Sequence, residues 1–421
     1  MNLRLAFCVR ALFPQHGYGG LERAASAQVR HLLARGVDVS LYTQPLPVGQ
    51  PFTVPEGSPG HLTVRTVRYN RFPLRANGIP SRLTNYRAFA ASMGERVERV
   101  ARMGKIDCIY AHGLCAWGVR SAAEWGVPLV ANPHGLEEFK VRDPLKRLAY
   151  APFRAWVREG CRAADRVLAT DHAMRGEVAS LLKIPKGKVV VIPNGVDISL
   201  IATLVSEAAK GQLIERWPAL AADPAALHGI SVGRLEENKG FEVLLRALAS
   251  VRDELGENWS WVLIGEGTLR SHLKSVAAAL GLSDHVIFAG ALGDQELHTL
   301  YSMSNLFAHP ALYEGSSLVT LEAMVHALPV VVSAVGGIPD KVVEGETGSL
   351  VQPGEPGELG AKIAWLASRP DIRRQMGERG ARLAAERFSM ERVTALLKGL
   401  FMEIISEKSP CRDEESVQSP C

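Results

Sequence analysis

The chain has 421 residues, 47% hydrophobic and 22% charged, with 48 Lys and Arg against 44 Asp and Glu. That length and apolar content suit two domains, each with its own buried core. No run reaches the uncharged apolar length of a spanning helix, and Cys8, Cys108, Cys115, Cys161, Cys411 and Cys421 show no C-x-x-C or Cys/His spacing. A membrane-spanning chain and a structural metal are thereby excluded; a cytoplasmic setting and no nucleic-acid partner are expected.

The net charge of +4 conceals an asymmetry. Residues 1–190 carry 28 basic side chains against 14 acidic, a surplus of +14, while the remainder holds 20 against 30 and stands at −10. The window 65–105 alone holds ten basic and two acidic residues, Arg65, Arg71, Arg75, Arg87, Arg99 and Lys105 among them. Such a first half is expected to face something anionic.

Met1–Arg10, with Arg4 and Arg10 interrupting its apolar residues, reads as a strand over 3–9 rather than a signal peptide. The loop Gln15–Gly20, a helix over 22–34, Gly36 as its stop and a strand over 37–43 complete a β–loop–α–β unit. Its turn, Gly17-Tyr-Gly19-Gly20-Leu-Glu22, places Glu at the third glycine position of the dinucleotide fingerprint. A nicotinamide dehydrogenase is therefore disfavoured. Residues 45–80, rich in Pro and Gly, read as a long irregular connection. A helix over 82–103, a strand over 107–112 and a strand over 127–131 follow. His112 and His134 then lie at the carboxyl ends of parallel strands, where open α/β sheets bind ligands. Residues 140–166 read as helical, with Lys140, Lys146, Arg147, Arg154 and Arg158 interleaved with Tyr150, Phe153 and Trp156. Strands over 166–170 and 189–192 close this half.

The Ala-rich helical region 198–226 carries the passage between domains, which are assigned as 1–190 and 191–387. The α/β alternation then restarts, with strands over 230–232, 259–265, 285–289, 306–309, 330–333 and 348–351. Helices fill 356–405, of which the last, about 388–405, is expected to pack back on the first domain. The polar tail 406–421, with two Ser-Pro pairs, reads as disordered. The expected fold class is α/β: two Rossmann-like, doubly wound domains facing across a cleft.

One stretch concentrates the chemistry: Glu314-Gly-Ser-Ser-Leu-Val-Thr-Leu-Glu322. Ser316 or Ser317 suits an N-cap, Leu318, Leu321 and Met324 recur at helical spacing, and Pro329 ends the helix before the strand Val330–Ser333. The N–H groups at such a helix start suit a phosphate, and flanking carboxylates can accept from ligand hydroxyls. Arg234 and Lys239 flank the loop Gly233–Gly240. Two such cations would neutralise a diphosphate, the guanidinium bidentately and the ammonium as a point charge. No D-x-D pair offers a metal to that diphosphate, so the charge falls to side chains and the helix dipole.

Six pieces in order resemble the retaining glycosyltransferases of the GT-B fold, specifically glycosyltransferase family four. They are Gly17–Gly20, Asn132-Pro-His134-Gly135, Val191-Ile-Pro-Asn-Gly-Val-Asp197, Gly233-Arg-Leu with Lys239-Gly240, Glu314–Glu322 and Gly336-Gly-Ile-Pro339. The resemblance implies a nucleotide diphosphate sugar donor held mainly by the second domain, with no cofactor and no metal. It implies that Arg234 and Lys239 hold the diphosphate, Glu314 the sugar hydroxyls and Glu322 the ribose. Gly19 and Gly20 would approach the phosphates, His134 the reacting sugar, and the backbone near Leu292 the base, with Gly315 and Ser316 completing the donor site. Two departures stand out: Ser316-Ser317 replaces the usual Phe-Gly, and Asp340 stands where Glu is common, which leaves the donor open. With the charge split, a saccharide or lipid-linked anionic acceptor, cell-surface polysaccharide or lipopolysaccharide biosynthesis, and peripheral attachment to the inner face of an anionic membrane are expected. Two alternatives share the fold. A nucleotide-sugar epimerase would turn over donor alone, and a binding protein would have lost the chemistry.

Overall fold

The computed structural model describes residues 2–17, 19–54, 56–69, 78–134, 136–141, 143–221 and 226–408. The chain divides into two compact units: Met1–Thr170 with Arg175–Pro193 and Val393–Cys421, and Asp171–Met174 with Asn194–Arg392.

The first unit is built on strands β1 (Arg4–Cys8), β2 (Asp38–Thr43), β3 (Leu62–Thr66), β4 (Cys108–His112), β5 (Leu129–Asn132), β6 (Arg166–Ala169) and β7 (Val189–Val191). They pair in parallel in the order β3-β2-β1-β4-β5-β6-β7. The second unit contains β8 (Leu227–Val232), β9 (Trp259–Ile264), β10 (Val286–Gly290), β11 (Leu306–His309), β12 (Val330–Ser333) and β13 (Gly348–Val351). These too are all parallel, in the order β10-β9-β8-β11-β12-β13. β8, β9, β11 and β12 are buried along their whole length, because helices cover both faces and leave no side for polar alternation. Strand order reverses between β1 and β4 in one sheet and between β8 and β11 in the other. The loops leaving those strands diverge there, which opens a crevice for a ligand.

Three expectations need correction. The segment 45–80 is not irregular throughout, since Leu62–Thr66 adds β3 at the sheet edge. That strand is five residues long, half-buried and bounded by Pro and Gly, so its pattern is weak. The helix over 140–166 is broken into Pro144–Ala149 and Ala151–Ala163, with Tyr150 capping the first. The last helix, Met390–Lys408, runs further than residue 405. Its Phe401 ring lies 5.4 Å from Tyr110, and Arg35 Nε donates to Thr394 Oγ1 at 3.0 Å. Arg71, Arg75 and residues 409–421 lie outside the described residues.

The aromatic side chains of 150–156 pack inward. Tyr150 and Phe153 are buried, and Tyr150 Oη accepts from Arg82 Nη2 at 2.7 Å. The Trp156 ring lies 6.1 Å from Trp117 with the Arg87 guanidinium over it. What the short helix Pro144–Ala149 does expose is a pair of leucines, Leu145 at 80% and Leu148 at 73%. Among the described residues, no helix is long and apolar enough to cross a membrane.

Candidate active site

In the second unit, three loops leave the sheet around the β8/β11 reversal and are stitched together by backbone. Leu312 N–H donates to Asn238 O at 2.9 Å, joining the loop after β11 to the loop after β8. Gly240 has φ +65°, and a Cβ there would lie 2.1 Å from Pro310 O. Gly337 N–H donates to Gly315 O at 2.8 Å, adding the loop after β12. Gly336, at φ +55°, would place a Cβ 2.0 Å from Glu314 O. Only glycine meets both demands, a left-handed backbone and a neighbour where the side chain would be.

This stitching brings Lys239 and Glu314 together across 75 residues of sequence, with Lys239 Nζ to Glu314 Oε2 at 2.5 Å. His309 Nε2 lies 3.0 Å from the same oxygen, and Gly315 N–H donates to Oε1 at 3.2 Å. Burial works to raise the Glu314 carboxyl, but the His309 hydrogen bond and the Lys239 charge outweigh it and hold it down to about 2. Glu314 is thus a carboxylate at any physiological pH.

Ser317, not Ser316, caps the helix Leu318–Val325, accepting from Thr320 N at 3.3 Å. Ser316 Oγ is buried and without a partner among the described residues. Glu322 lies in the middle of that helix, with Tyr301 Oη 3.5 Å from its Oε2. Arg234 is exposed and makes no ion pair among the described residues, and Leu292 sits two residues past β10, half-buried. Asp340 accepts from Ala173 N at 3.1 Å. The next residue, Lys341, is fully buried and paired with the carboxylate of Asp171 while donating to Gly337 O at 3.0 Å. The loop that carries the glycine pair is therefore fixed by a desolvated ion pair, whose rupture would strand a buried charge.

The first unit presents a different cluster at its own reversal. His112 ends β4, and its Nδ1 lies 2.8 Å from His134 Nε2 with the rings stacked at 5.0 Å. His134 has φ 59°, a left-handed conformation costly for a residue with a Cβ, and its N–H is held by Asn132 Oδ1 at 3.2 Å. Gly135 lies outside the described residues. Burial lowers His134 to about 4 and pushes His112 well below the usual histidine range, with His134 adding to the push. Gly19 caps the helix Gly20–Ala34, which begins two residues earlier than expected. A Cβ on Gly19 would lie 2.4 Å from Glu22 Oε2, so the glycine turn makes room for a carboxylate of the same helix.

The sequence marks His309 only as the end of a strand. The argument applied to His112, a histidine closing a parallel strand beside the reversal, would have found it. Among the described residues, no group of three or more His, Cys, Asp or Glu side chains is placed to hold a metal ion.

Fold and site together define a two-domain α/β protein with an ion-paired, phosphate-suited cluster at a sheet reversal, the GT-B type of glycosyltransferase. Residues 18–200 match the family described as Glycosyltransferase Family 4, and residues 226–383 match Glycosyl transferases group 1. The D-inositol 3-phosphate glycosyltransferase of Saccharomonospora viridis is 30% identical over 403 residues, covering 92% of this chain and 90% of that protein. The chain belongs to glycosyltransferase family four. Among solved structures, sucrose-phosphate synthase from Thermosynechococcus elongatus superposes with a TM-score of 0.73 at 21% identity, covering 96% of this chain and all of that one. Anabaena HepE in complex with UDP gives 0.70 at 20% identity, with 96% and 100% covered.

Proposed function

We propose that this glycosyltransferase moves a sugar, with retention of anomeric configuration, from a nucleotide diphosphate sugar to an anionic acceptor. The observation that carries the reading is the Lys239–Glu314 pair, seated where β8 and β11 diverge. A diphosphate competes for Lys239, and Glu314, a strong acceptor, then serves hydroxyls of the sugar. Arg234, exposed on the same loop, supplies the second positive charge. The unpartnered Ser316 hydroxyl and the start of the helix Leu318–Val325 offer further donors to phosphate oxygens. Gly315 lends its backbone, Glu322 takes the ribose, and the chain near Leu292 takes the base. Gly19 and Gly20 admit the phosphates closely in the first unit, and His134 there orients the reacting sugar.

In the reaction, the bond from the anomeric carbon to the leaving phosphate oxygen breaks. A bond from the acceptor oxygen forms on the same face, and the acceptor proton passes to the departing phosphate. Lys239 and Arg234 stabilise the charge that develops on the diphosphate, so neither metal nor cofactor is called for. His134, held neutral, donates or accepts a hydrogen bond without competing for the anion.

The acceptor follows from charge. Basic side chains outnumber acidic ones by 14 over residues 1–190, which suits a phosphorylated saccharide or lipid-linked acceptor and the building of a surface glycan. The Saccharomonospora relative is named for inositol 3-phosphate, itself an anion. Leu145 and Leu148, exposed beside Lys146 and Arg147, suit peripheral attachment to the inner face of an anionic bilayer. Thermal stabilisation by a panel of nucleotide sugars, followed by turnover with and without chelator, tests the core of this reading. Stabilisation and acceptor-dependent turnover that survive chelation are expected. Turnover of donor alone would turn the assignment toward an epimerase.

A further inference from the structure

The structure leaves one participant at the Lys239–Glu314 pair without a role. His309 is fully buried at the end of β11, and its Nε2 lies 3.0 Å from Glu314 Oε2, the same oxygen that Lys239 reaches at 2.5 Å. Because the oxygen belongs to a carboxylate, Nε2 must carry the hydrogen. His309 Nδ1 is buried without a partner among the described residues, which is tolerable for a lone pair and costly for a second N–H. Nε2–H is therefore a fixed donor to Glu314, and the ring has no second partner among the described residues to turn toward.

We infer that His309 is the positioning residue that keeps Glu314 in place when the donor's diphosphate takes Lys239 away. The inference rests on the donor reading above and adds the question of what holds the carboxylate once its cation is engaged. Glu314 and Lys239 have side chains only 14% and 15% exposed. Water alone cannot restore what the departing ammonium supplied. Lys239 sits on a flexible stem at the end of a turn, Glu237–Lys239, and can swing to a phosphate. His309 cannot swing, being enclosed at the end of a buried strand. One oxygen of Glu314 is thus anchored by His309 in both states. Lys239 leaves it, and its freed lone pair is offered to a sugar hydroxyl. The ion pair of the free protein is a placeholder for the donor, and His309 is the part that does not exchange.

This division is tested by titrating the full chain and its His309→Phe and His309→Gln variants with UDP, GDP and ADP and with their glucose esters. Phe keeps the ring without a donor, and Gln restores an N–H on a shorter reach. For His309→Phe, affinity for the bare diphosphate is expected within about threefold of the parent, with the glucose ester weakened and kcat lowered by about tenfold or more. His309→Gln should recover part of the glucose-ester affinity. Equal loss of both ligands in His309→Phe, in step with a lowered Tm that Gln shares, would reduce His309 to a core residue and overturn the inference. Unchanged binding and turnover of the glucose ester in His309→Phe would overturn it as well. A parent chain that binds none of the six ligands would overturn the donor reading itself, and His309's role with it.

Discussion

β4 and β11 hold the same place in their sheets, each lying beside the first strand of its unit across the reversal, and each ends in a histidine. The two histidines meet opposite partners. His112 faces the ring of His134 in a desolvated pair that burial keeps neutral. His309 faces Glu314, a carboxylate held down to about 2 with Lys239 beside it. One scaffold position has thus become a neutral hydrogen-bonding pair in one unit and a charged, ion-paired cluster in the other. The partner, not the histidine, decides which. The proposed reaction needs charge at the phosphates, which the second unit's cluster is suited to supply.

The comparison is sharpest under acid, where the two clusters fail in different windows. A histidine whose folded value lies below 6.5 takes up its proton more readily when unfolded. Stability of the first unit then falls as pH drops from about 6.5 toward the folded value of about 4 for His134, a loss on the order of 3 kcal/mol. Glu314 has the depressed carboxylate's sign. Its contribution is complete above about 4.5 and is lost only as pH falls through about 2. Hydrogen exchange read at the amides of each cluster should show the Asn132–His134 segment loosening before the Glu314–Gly315 loop; His326, which burial lowers to about 4 in the second unit, adds a separate loss there over the upper window. His134→Gln should flatten the upper window and leave the lower one alone. Loss of protection at both clusters in one transition near pH 6, unchanged in His134→Gln, would break the contrast.

Next in size is the loss of the charge itself. Lys239→Ala should lower kcat by at least about 10²-fold, roughly 2.7 kcal/mol of transition-state stabilisation, while the fold survives. The fold is expected to hold because the neighbouring loops are tied by backbone bonds and by the buried Lys341–Asp171 pair, neither of which involves that side chain. A Lys239→Ala enzyme with full kcat would remove the second unit's claim to the diphosphate.

Much of this contrast was legible in the chain. Apolar runs such as Trp259–Ile264 and Val330–Ser333 announced buried parallel strands, and Lys239-Gly240, Glu314 and Gly336 stood at strand ends where loops carry chemistry. Pairing across 75 residues was not legible, since periodicity carries no information about which loops meet. Nor was the direction of Tyr150 and Phe153. Composition left them open between a headgroup belt and the first unit's core, and it is the helix that decides: Phe153, Val157, Gly160 and Cys161 form its buried face. β3 escaped because all five of its residues are half-buried, so neither an alternation nor a continuous apolar run marks it.

A finer division follows within the second unit. Glu314→Ala should weaken the sugar donor by about tenfold or more, yet leave the bare nucleoside diphosphate unchanged or bound more tightly, since the anion that competes for Lys239 is gone. Glu322→Ala should weaken both ligands alike if its carboxylate takes the ribose. Calorimetry on the four protein–ligand pairs decides it. Equal weakening of both ligands by Glu314→Ala would reject the separation of sugar and ribose roles.

The smallest effect concerns the first unit's surface, and it asks whether the basic surplus there serves a bilayer. Leu145 and Leu148 are spaced three residues apart on the short helix Pro144–Ala149, so they share a face, with Lys146 and Arg147 exposed on the same turn. Arg154 and Arg158 are less free than their charge suggests. Their guanidiniums donate to the carbonyls of Arg147 and Leu181, at 2.7 Å and 2.9 Å. Replacing them would disturb packing as well as charge. The informative variants are therefore Leu145→Ser with Leu148→Ser, and Lys146→Ser with Arg147→Ser. An interfacial leucine gains only part of the ~1.5–3 kcal/mol of full burial, and a basic side chain near an anionic leaflet contributes up to about 1 kcal/mol, so either double change should lower vesicle binding by at least about tenfold. Only the charge pair should lose its effect at high salt, because screening acts on exposed charges and not on apolar burial. Sedimentation with anionic and with neutral vesicles, at low and high salt, reads both. Binding confined to anionic vesicles and weakened by both pairs is the expected result. Equal retention by neutral vesicles, or no effect of the leucine pair, would leave the basic surplus to the acceptor alone.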